Sequence, residues 1–412
     1  MEYEQKSVAE FGLRFNTRYV LGFLCCGRSF VSVYMLGKGY SNTSIGVVIA
    51  AGNIIAVFFQ SVLAGATDKS RRLNNILVIK ILVAFLFILT LSVLVIGHSS
   101  LMLTIFYTAL IVFHTALHPF INSVSFTLEE SGYHISFGIG RSMGSLSAAV
   151  LGLVMGYFVT GFGVDVIPFS GLVILFLMEG FVIMTDRCYK KVCNENNVWN
   201  KHTNIKDEVN ISDRTIDFKE FMTGNIRFVI LSAGVVALFF GNVILENFTI
   251  QILENIGGDT KQLGIIIFVM AMLEMPAMLF FDRIRGFFSY TFLLKLSAVF
   301  FSVKIIMMYM ADSMILIYIA QINQILGYGL MFPAMVGFID NIMSKEEAVR
   351  GQAVFTTAIT AGNVLGCILG GRILDVSSVE SLLLISSAIT VAGAVIIFAV
   401  VDKIRIYEFK EG

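Results

Sequence analysis

The sequence predicts an all-α membrane protein of twelve transmembrane helices in two six-helix bundles, and three observations support this prediction. The 412-residue chain is 57% hydrophobic and only 14% charged, whereas soluble domains contain about 25% charged residues. Apolar stretches that are long enough to cross a bilayer recur along the chain. One polar segment, residues 185–223, separates six of these stretches from the other six.

Each predicted span is a window of about 20 apolar residues, the length that crosses the hydrocarbon core as a helix. Strands of a membrane barrel would be about ten residues long, with polar residues at alternate positions. The windows here are too long for such strands. In chain order they are 18–37, 43–66, 73–97, 100–124, 139–162, 166–184, 226–250, 262–281, 288–310, 313–339, 350–371 and 379–401.

Lysine and arginine in the loops determine the predicted orientation, because cytoplasmic loops of membrane proteins are enriched in both. With the N-terminus inside, the inner segments carry 21 of these residues, and the outer loops carry only Lys38, Lys261 and Arg372. We therefore expect both termini in the cytoplasm and the protein in a plasma membrane of the bacterial inner type. The N-terminal segment shows no signal-peptide pattern.

The polar segment 185–223 is predicted to be a partly ordered cytoplasmic linker, because it has no hydrophobic periodicity. It separates an N-terminal bundle, residues 1–184, from a C-terminal bundle, residues 224–412. The linker has neither a nucleotide-binding glycine motif nor a paired-carboxylate motif, and every predicted outer loop is short. These features argue against an enzyme, and we expect no cofactor, metal site or nucleic-acid partner.

The two bundles show signs of an internal duplication. When the halves are aligned so that Gly46 matches Gly264, which we call the repeat alignment, the turn GYSNTSIG at 39–46 coincides with GGDTKQLG at 257–264. Small residues in span 5 coincide with small residues in span 11, and the pairs are Gly140–Ala358, Gly144–Gly362, Ala148–Gly366 and Gly152–Gly370. Because helices in lipid associate through close backbone approach at small residues, spans 5 and 11 are predicted to pack tightly against their neighbours.

Several stretches resemble the major facilitator superfamily, and within it the branch of lactose permease, sugar efflux transporters and the phenylpropionate permease. They are GYSNTSIG, the pattern Ala64-x3-Asp68-Lys69-x-Arg71-Arg72, GRSMGS at 140–145 and LEMPAMLFFDRI at 273–284. The resemblance covers all twelve spans. It implies the major facilitator fold and a transporter that works by alternating access, with its solute site at mid-membrane between the bundles.

The resemblance also implies a gating motif at the cytoplasmic ends of spans 2 and 8. Its residues are Asp68, Lys69 and Arg72 in the first bundle, and Asp282 and Arg283 in the second. With a slip of a few positions in the repeat alignment Lys80 matches Lys295, and both lysines are predicted to snorkel to the cytoplasmic face. Ala148 stands where lactose permease stacks its sugar on a tryptophan, so lactose itself is not the expected substrate.

Arg141 is the first candidate for contact with the substrate. It begins the glycine row of span 5, its repeat mate is the neutral Ile359, and its place resembles that of the substrate-binding arginine of lactose permease. A cytoplasmic gate or a lipid-headgroup contact is the alternative. Polar residues that could line the same cavity are Asn53, Gln60, Gln321, Asn323, Gln324 and Asn363, and hydrogen bonds between helices are the alternative for each.

Arg28 in span 1 and Glu246 in span 7 are mates in the repeat alignment. Pseudo-symmetry therefore places them at equal depth on opposite sides of the cavity. The hypothesis is a charge pair, either direct or through the substrate, which makes Arg28 a further substrate-binding candidate. The alternative is a local polar partner for each, such as Asn242 or Asn247 for Glu246.

Glu246 and Glu274 are the candidates for proton coupling, since a carboxylate buried in a membrane can hold a proton at neutral pH. A charge at the centre of a spanning helix costs about 2.5–3.5 kcal/mol on insertion scales, so such residues are functional candidates. Lys304 in span 9 matches a buried arginine of lactose permease and is the expected counter-ion. A static salt bridge is the alternative.

Together these features predict a secondary transporter, a proton symporter of a small polar organic solute, with a sugar or oligosaccharide favoured. An exporter or facilitator of a nucleoside, an aromatic acid or a drug-like compound is the first alternative, and a transport-inactive membrane sensor is the second. The expected partners are the solute, a proton and the lipid bilayer, and we expect a monomer.

Overall fold

The computed structural model describes residues 29–69, 75–130, 137–195 and 218–404, which form helices and short turns with no β-strand. The spanning helices are numbered here to match the predicted spans. They are α1 (Val31–Gly37, the described part of span 1), α2 (Asn42–Lys69), α3 (Asn75–Ile96), α4 (Leu101–Glu130), α5 (Phe137–Phe162), α6 (Val166–Glu195), α7 (Ile226–Asn247), α8 (Thr260–Leu279), α9 (Tyr290–Tyr309), α10 (Met314–Ile342), α11 (Lys345–Val376) and α12 (Val379–Val400).

Eleven of the described helices, α2 to α12, are long and apolar enough to cross a membrane. Their mean hydropathy lies between 1.5 and 2.9. They coincide with eleven of the twelve predicted windows, and the remaining window, 18–37, lies mostly outside the described residues. The predicted class is confirmed: the protein is an all-helical, multi-pass membrane protein.

Polar residues between the apolar windows determine where several helices begin. The Asp259 carboxylate accepts hydrogen bonds from the backbone N–H groups of Lys261 and Gln262 at 2.8 and 3.3 Å, and the Gln262 side chain accepts one from the Asp259 N–H. These N–H groups have no partner inside the helix, so a cap stabilises the first turn. Serine side chains cap α9, α11 and α12 in the same way, and they are Ser289, Ser344 and Ser378.

Helix α10 is interrupted inside the membrane-spanning region. It is α-helical over Met314–Gln321, passes through a 3-10 turn at Ile322–Gln324 and resumes over Tyr328–Ile342. At the break the N–H of Gly327 donates to the Asn323 carbonyl at 2.8 Å, and the Ser297 hydroxyl of α9 donates to the Gly327 carbonyl at 2.6 Å. Irregular backbone inside a membrane requires such partners in the protein, and here α9 provides one.

The chain forms two compact units, which do not follow the sequence order of the bundles. Of the described residues, the first unit comprises 55–69, 75–130, 137–151 and 165–195, and the second comprises 29–54, 152–164 and 218–404. The second unit therefore contains α7 to α12 together with α1, the beginning of α2 and the end of α5. Helix α6 continues to Glu195, inside the predicted linker, and a short helix at Phe218–Gly224 precedes α7.

Each unit has its own apolar core, formed by side chains that interlock between neighbouring helices. Close packing is what holds membrane helices together, because lipid provides no hydrophobic force between them. The core of the first unit includes Leu82, Leu86, Leu117, Phe120 and Leu175 from α3, α4 and α6. The core of the second includes Leu231, Leu294, Leu330, Phe355 and Ile397 from α7 and α9 to α12.

An ion pair recurs in both units. The Lys80 ammonium of α3 lies 2.5 Å from the Asp186 carboxylate of α6, and Lys295 of α9 pairs with Asp402, just beyond α12. Asp402 stands close to the position that the repeat alignment assigns to Asp186, which is Ile404. The two lysines that were predicted to snorkel are therefore also tied to equivalent carboxylates, and the pair belongs to the duplicated scaffold.

The glycine row of α11 packs directly against α7. A β-carbon built on Gly362 would lie 2.5 Å from the Val236 carbonyl oxygen, and one built on Gly366 would lie 2.8 Å from the Phe240 carbonyl oxygen. No side chain fits between these backbones. The predicted close packing of span 11 is confirmed, and the end of α5 shows the same feature against α8.

Candidate functional site

A buried lysine lies in the second unit, at the break in α10. Lys304 of α9 is only 4% exposed, and its ammonium donates to the side-chain carbonyl of Gln324 at 2.5 Å. A charge removed from water must be compensated by hydrogen bonds or by an opposite charge. The 3-10 turn of α10 positions Gln324 to provide the first of these.

Gln324 also contacts a carboxylate. Its side-chain N–H donates to Oε1 of Glu274 in α8 at 2.5 Å. The amide thus lies between the two charged groups, with its carbonyl toward the ammonium and its N–H toward the carboxylate. The reverse orientation would oppose two donors, so the neighbours determine how the amide points. We call Lys304, Gln324 and Glu274 the buried polar chain, which links α9, α10 and α8.

Glu246 of α7 belongs to the same electrostatic environment. Its carboxylate accepts a hydrogen bond from the Asn242 side chain, one turn earlier, at 2.7 Å. The charges of Glu274 and Glu246 both attract the Lys304 ammonium. Three residues predicted to take part in proton coupling therefore act on one another, with Asn242 as the local partner that the sequence suggested for Glu246.

The structure does not place the two predicted substrate-binding arginines. Arg28 lies outside the described residues, so its pairing with Glu246 stays a prediction. Arg141 lies in α5, but the description does not extend to its side chain. Its role also stays a prediction.

The predicted gating motif is described only in part. Asp68 and Lys69 belong to the last turn of α2, although their side chains lie outside the description, and so does the whole of Arg72. Asp282 and Arg283 lie in the short helix Phe281–Phe287 that follows α8, which buries none of its residues. The structure therefore leaves the gating role untested.

Three of the polar cavity candidates are bonded within or between helices. Gln321 donates to the Ile317 carbonyl at 3.2 Å, and Asn323 donates to the Ala320 carbonyl at 3.0 Å. Gln60 of α2 donates to a backbone carbonyl of α4 at 2.7 Å. These bonds correspond to the structural alternative for such residues.

Asn53 of α2 and Asn363 of α11 each leave part of the side-chain amide unused, and so does Gln321 at its Oε1 atom. Nδ2 of Asn53 and Oδ1 of Asn363 are buried and lack a hydrogen-bond partner among the described residues. An unpaired buried polar group costs about 1–3 kcal/mol. The two asparagines thus offer one free donor and one free acceptor.

The packing of α2 on α11 places Asn53 and Asn363 on the faces through which the two helices approach each other. Gly46 of α2 lies against the backbone of Cys367 of α11. Asn53 follows Gly46 by about two turns of a helix, and Asn363 precedes Cys367 by about one turn. Each asparagine therefore shares the face through which its helix approaches the other. A hydroxyl group, which both donates and accepts, matches this combination.

The sequence identified the charged residues of this site but not Gln324, the amide that connects two of them. Glu246, Glu274 and Lys304 were conspicuous because charges inside membrane helices are rare. Gln324 was one polar residue among several in span 10. Gln324 differs from Gln321 because the break in α10 places it between Lys304 and Glu274. No sequence pattern predicts this break.

Comparison with known families decides what kind of protein carries this site. The family model described as the MFS_1-like family matches residues 19–385 of the sequence, most of its length. The chain belongs to the MFS_1-like family. It is therefore a transporter of the major facilitator superfamily and not an enzyme, as the sequence motifs indicated.

Solved transporter structures share the fold of this MFS_1-like protein. The nucleoside transporter NupG is similar with a TM-score of 0.78 at 15% identity, over 95% of this chain and 99% of that one. The inward-open xylose transporter XylE from E. coli has a TM-score of 0.67 at 11% identity, over 100% and 98%. The POT family transporter PepTSo has a TM-score of 0.71 at 9% identity, over 96% and 98%.

These identities show a common fold and leave the substrate open. The three neighbours are described as transporters of different solutes or families. No curated protein matches the sequence. The residues of the site are therefore the basis for any proposal about substrate and coupling.

Proposed function

We propose that this MFS_1-like protein is a proton-coupled symporter of a small hydroxylated solute, with a sugar or oligosaccharide favoured, and that it works by alternating access. The observation that carries this proposal is the buried polar chain, in which Lys304 and Glu274 share one amide inside the membrane-spanning helices. In the proposal, Glu274 is the carboxylate that binds the proton, and its charge acts on α8, α9 and α10 through the bonds of Gln324.

Glu274 is the favoured proton site because a neutral amide separates its carboxylate from the buried ammonium. The carboxylate receives the N–H of Gln324, and that same amide accepts from Lys304. Partial removal from water favours the protonated form of a carboxyl group. Protonation also preserves the Gln324 bond, because the carbonyl oxygen of a carboxylic acid still accepts. A proton can therefore enter and leave without breaking the chain.

The two unused amide groups support a hydroxylated solute. Asn53 offers a donor and Asn363 an acceptor, and a sugar hydroxyl can satisfy both. In the proposal Arg141 and Arg28 provide further contacts to the solute. The combination favours neutral, hydrogen-bonding molecules over apolar drug-like compounds, for which two unsatisfied amides would be unfavourable.

The first experiment identifies the solute and separates a transporter from a sensor. Purified protein is screened by thermal shift against sugars and oligosaccharides, nucleosides and aromatic acids, since a ligand of the folded state raises the unfolding temperature. The stabilising compound is then offered in labelled form to proteoliposomes, with and without an inward proton gradient. We expect a hydroxylated compound to bind and its accumulation to require the gradient.

Three results would contradict parts of the proposed function. Binding without uptake would indicate a sensor, and uptake that ignores the gradient would indicate facilitated diffusion. Stabilisation by aromatic acids alone would contradict the hydroxyl site at Asn53 and Asn363.

A further inference from the structure

Two pairs of helices cross closely at one end of the second unit, where α2 and α8 begin and α5 and α11 end. At the α2–α11 crossing, a β-carbon on Gly46 would meet the Cys367 carbonyl. At the α5–α8 crossing, a β-carbon on Gly264 would lie 2.7 Å from the Gly152 carbonyl oxygen. Gly46 and Gly264 are mates in the repeat alignment, so the two crossings are copies of one arrangement.

The α2–α11 crossing includes a carboxylate bound to the start of a helix. Asp375 of α11 accepts the backbone N–H of Asn42 at 3.0 Å and that of Thr43 at 2.7 Å, and it also accepts the Asn42 side-chain N–H at 3.0 Å. These are the first two backbone N–H groups of α2. Both lack a partner within the helix, and the positive end of the helix dipole lies there.

The local cap of α2 does not replace Asp375. Among the backbone N–H groups at the start of α2, the Ser41 hydroxyl accepts that of Ser44, at 3.2 Å. The first two N–H groups therefore depend on a side chain from a helix near the other end of the sequence. Helix α8, by contrast, has its own Asp259 cap, which accepts its second and third N–H groups, those of Lys261 and Gln262.

A second side chain strengthens the contact at α2. Gln251, in the short helix Thr249–Asn255, donates to the Asn42 side-chain carbonyl at 2.9 Å. Asn42 is thus bonded to Asp375 on one side and to Gln251 on the other. The beginning of α2, the end of α11 and the short helix after α7 form one hydrogen-bonded group.

The α5–α8 crossing has different contacts at the equivalent positions. In the repeat alignment, Thr43 corresponds to Lys261 and Asp375 corresponds to Tyr157. The Lys261 ammonium lies 4.9 Å from the centre of the Tyr157 ring. The Thr160 hydroxyl of α5 and the Thr260 hydroxyl of α8 also share a hydrogen bond, at 2.8 Å. Neither this neutral bond nor the weak cation–π contact leaves a helix terminus uncapped when it separates.

We propose that Asp375 is the latch of the α2–α11 crossing. It completes the N-terminus of α2 only while the two helices are crossed, so separation of the helices exposes two uncapped N–H groups and a bare carboxylate. The α5–α8 crossing has no such latch and separates more easily. The inference rests on the proposed alternating-access cycle, in which the crossings at this end, predicted to be the outer end, must open.

The buried Cys367 provides a direct reporter of opening. It lies at the crossing, fully covered in the closed arrangement. In a full-length background with Cys25, Cys26, Cys188 and Cys193 replaced by serine, the rate of Cys367 alkylation by N-ethylmaleimide reports how often the crossing opens. We expect Asp375→Asn to raise this rate by about fivefold. The loss of a helix cap typically costs about 1 kcal/mol, which corresponds to a roughly fivefold larger population of the open arrangement.

Two matched variants make the result specific. Lys261→Met removes the charged contact of the other crossing and is expected to leave the alkylation rate of Cys367 close to that of the background protein. Asp375→Glu retains the charge and is expected to give an intermediate rate, and it replaces Asp375→Asn if that variant does not fold. Equal rates in Asp375→Asn and Lys261→Met, or no change in either aspartate variant, would overturn the latch.

The labelling result is independent of solute transport. If the aspartate variants open the crossing but the wild-type protein does not move solute, the latch stands and the proposed transport function fails. If transport persists and labelling does not respond to Asp375, only the latch fails.

Discussion

Gln324 shows how a single neutral side chain can connect a buried ammonium with a partly buried carboxylate. Its amide bonds to the Lys304 ammonium and to the Glu274 carboxylate at 2.5 Å each. A direct ion pair in the same place would be costly to separate, because the Lys304 ammonium would be left buried and unpaired. In the proposed transport cycle, the amide keeps its bond to each charged group while the carboxylate gains or loses a proton.

Removal of this amide is predicted to destabilise the protein strongly. Gln324→Leu deletes two hydrogen bonds to charged groups and leaves the ammonium without its amide partner, which we expect to cost about 2–3 kcal/mol. Gln60→Leu, which deletes one neutral bond between α2 and α4, should cost about 1 kcal/mol. Thermal unfolding of the two purified variants compares them. If Gln324→Leu destabilises the protein less than Gln60→Leu does, other groups must compensate the charge of Lys304.

At the scale of the helices, the glycine row of α11 sets the distance to α7. Gly366 has no room for a methyl group beside Phe240. Gly366→Ala should therefore destabilise the protein by about 1–3 kcal/mol, the usual cost of overpacking.

Gly180 provides the matched control for that substitution. It lies within α6 and has nothing within 4 Å of the position that a β-carbon would occupy. Gly180→Ala should leave stability unchanged or raise it by up to about 1 kcal/mol, because alanine favours the helix. If thermal unfolding shows the same change for both variants, close contact at Gly366 does not hold α11 against α7.

The positions of the helices could be predicted because the bilayer imposes their length and apolar character. The break in α10 could not be predicted. The sequence QINQ at 321–324 is compatible with a continuous helix, and the break coincides with bonds from Ser297 and Lys304 of α9. The bond between Asp375 and Asn42 was likewise hidden, since no local pattern relates residues so far apart in the sequence.

At the scale of the whole molecule, scaffold features are duplicated and the buried polar chain is not. The ion pairs Lys80–Asp186 and Lys295–Asp402 occur in both units, and the close glycine contacts are likewise repeated. In the repeat alignment, the residues of the buried polar chain have the uncharged mates Ala56, Leu86 and Phe106. The proposed proton site therefore belongs to the second unit alone.

The same asymmetry explains how much of the site could be predicted. Charges such as Glu274 and Lys304 were recognised because they are rare inside membrane helices and have no charged mates in the repeat. The connection through Gln324 was not recognised, because the sequence does not show which side chains of α8, α9 and α10 are neighbours.

The most direct test of the account is solute accumulation by Glu274→Gln in proteoliposomes. The variant retains an acceptor for Gln324 but cannot take up a proton. We predict that it exchanges labelled for unlabelled solute across the membrane but does not accumulate solute under an inward proton gradient. The control Glu254→Gln, in the short helix between α7 and α8, should accumulate solute normally. Gradient-driven accumulation by Glu274→Gln at the wild-type level would contradict the account.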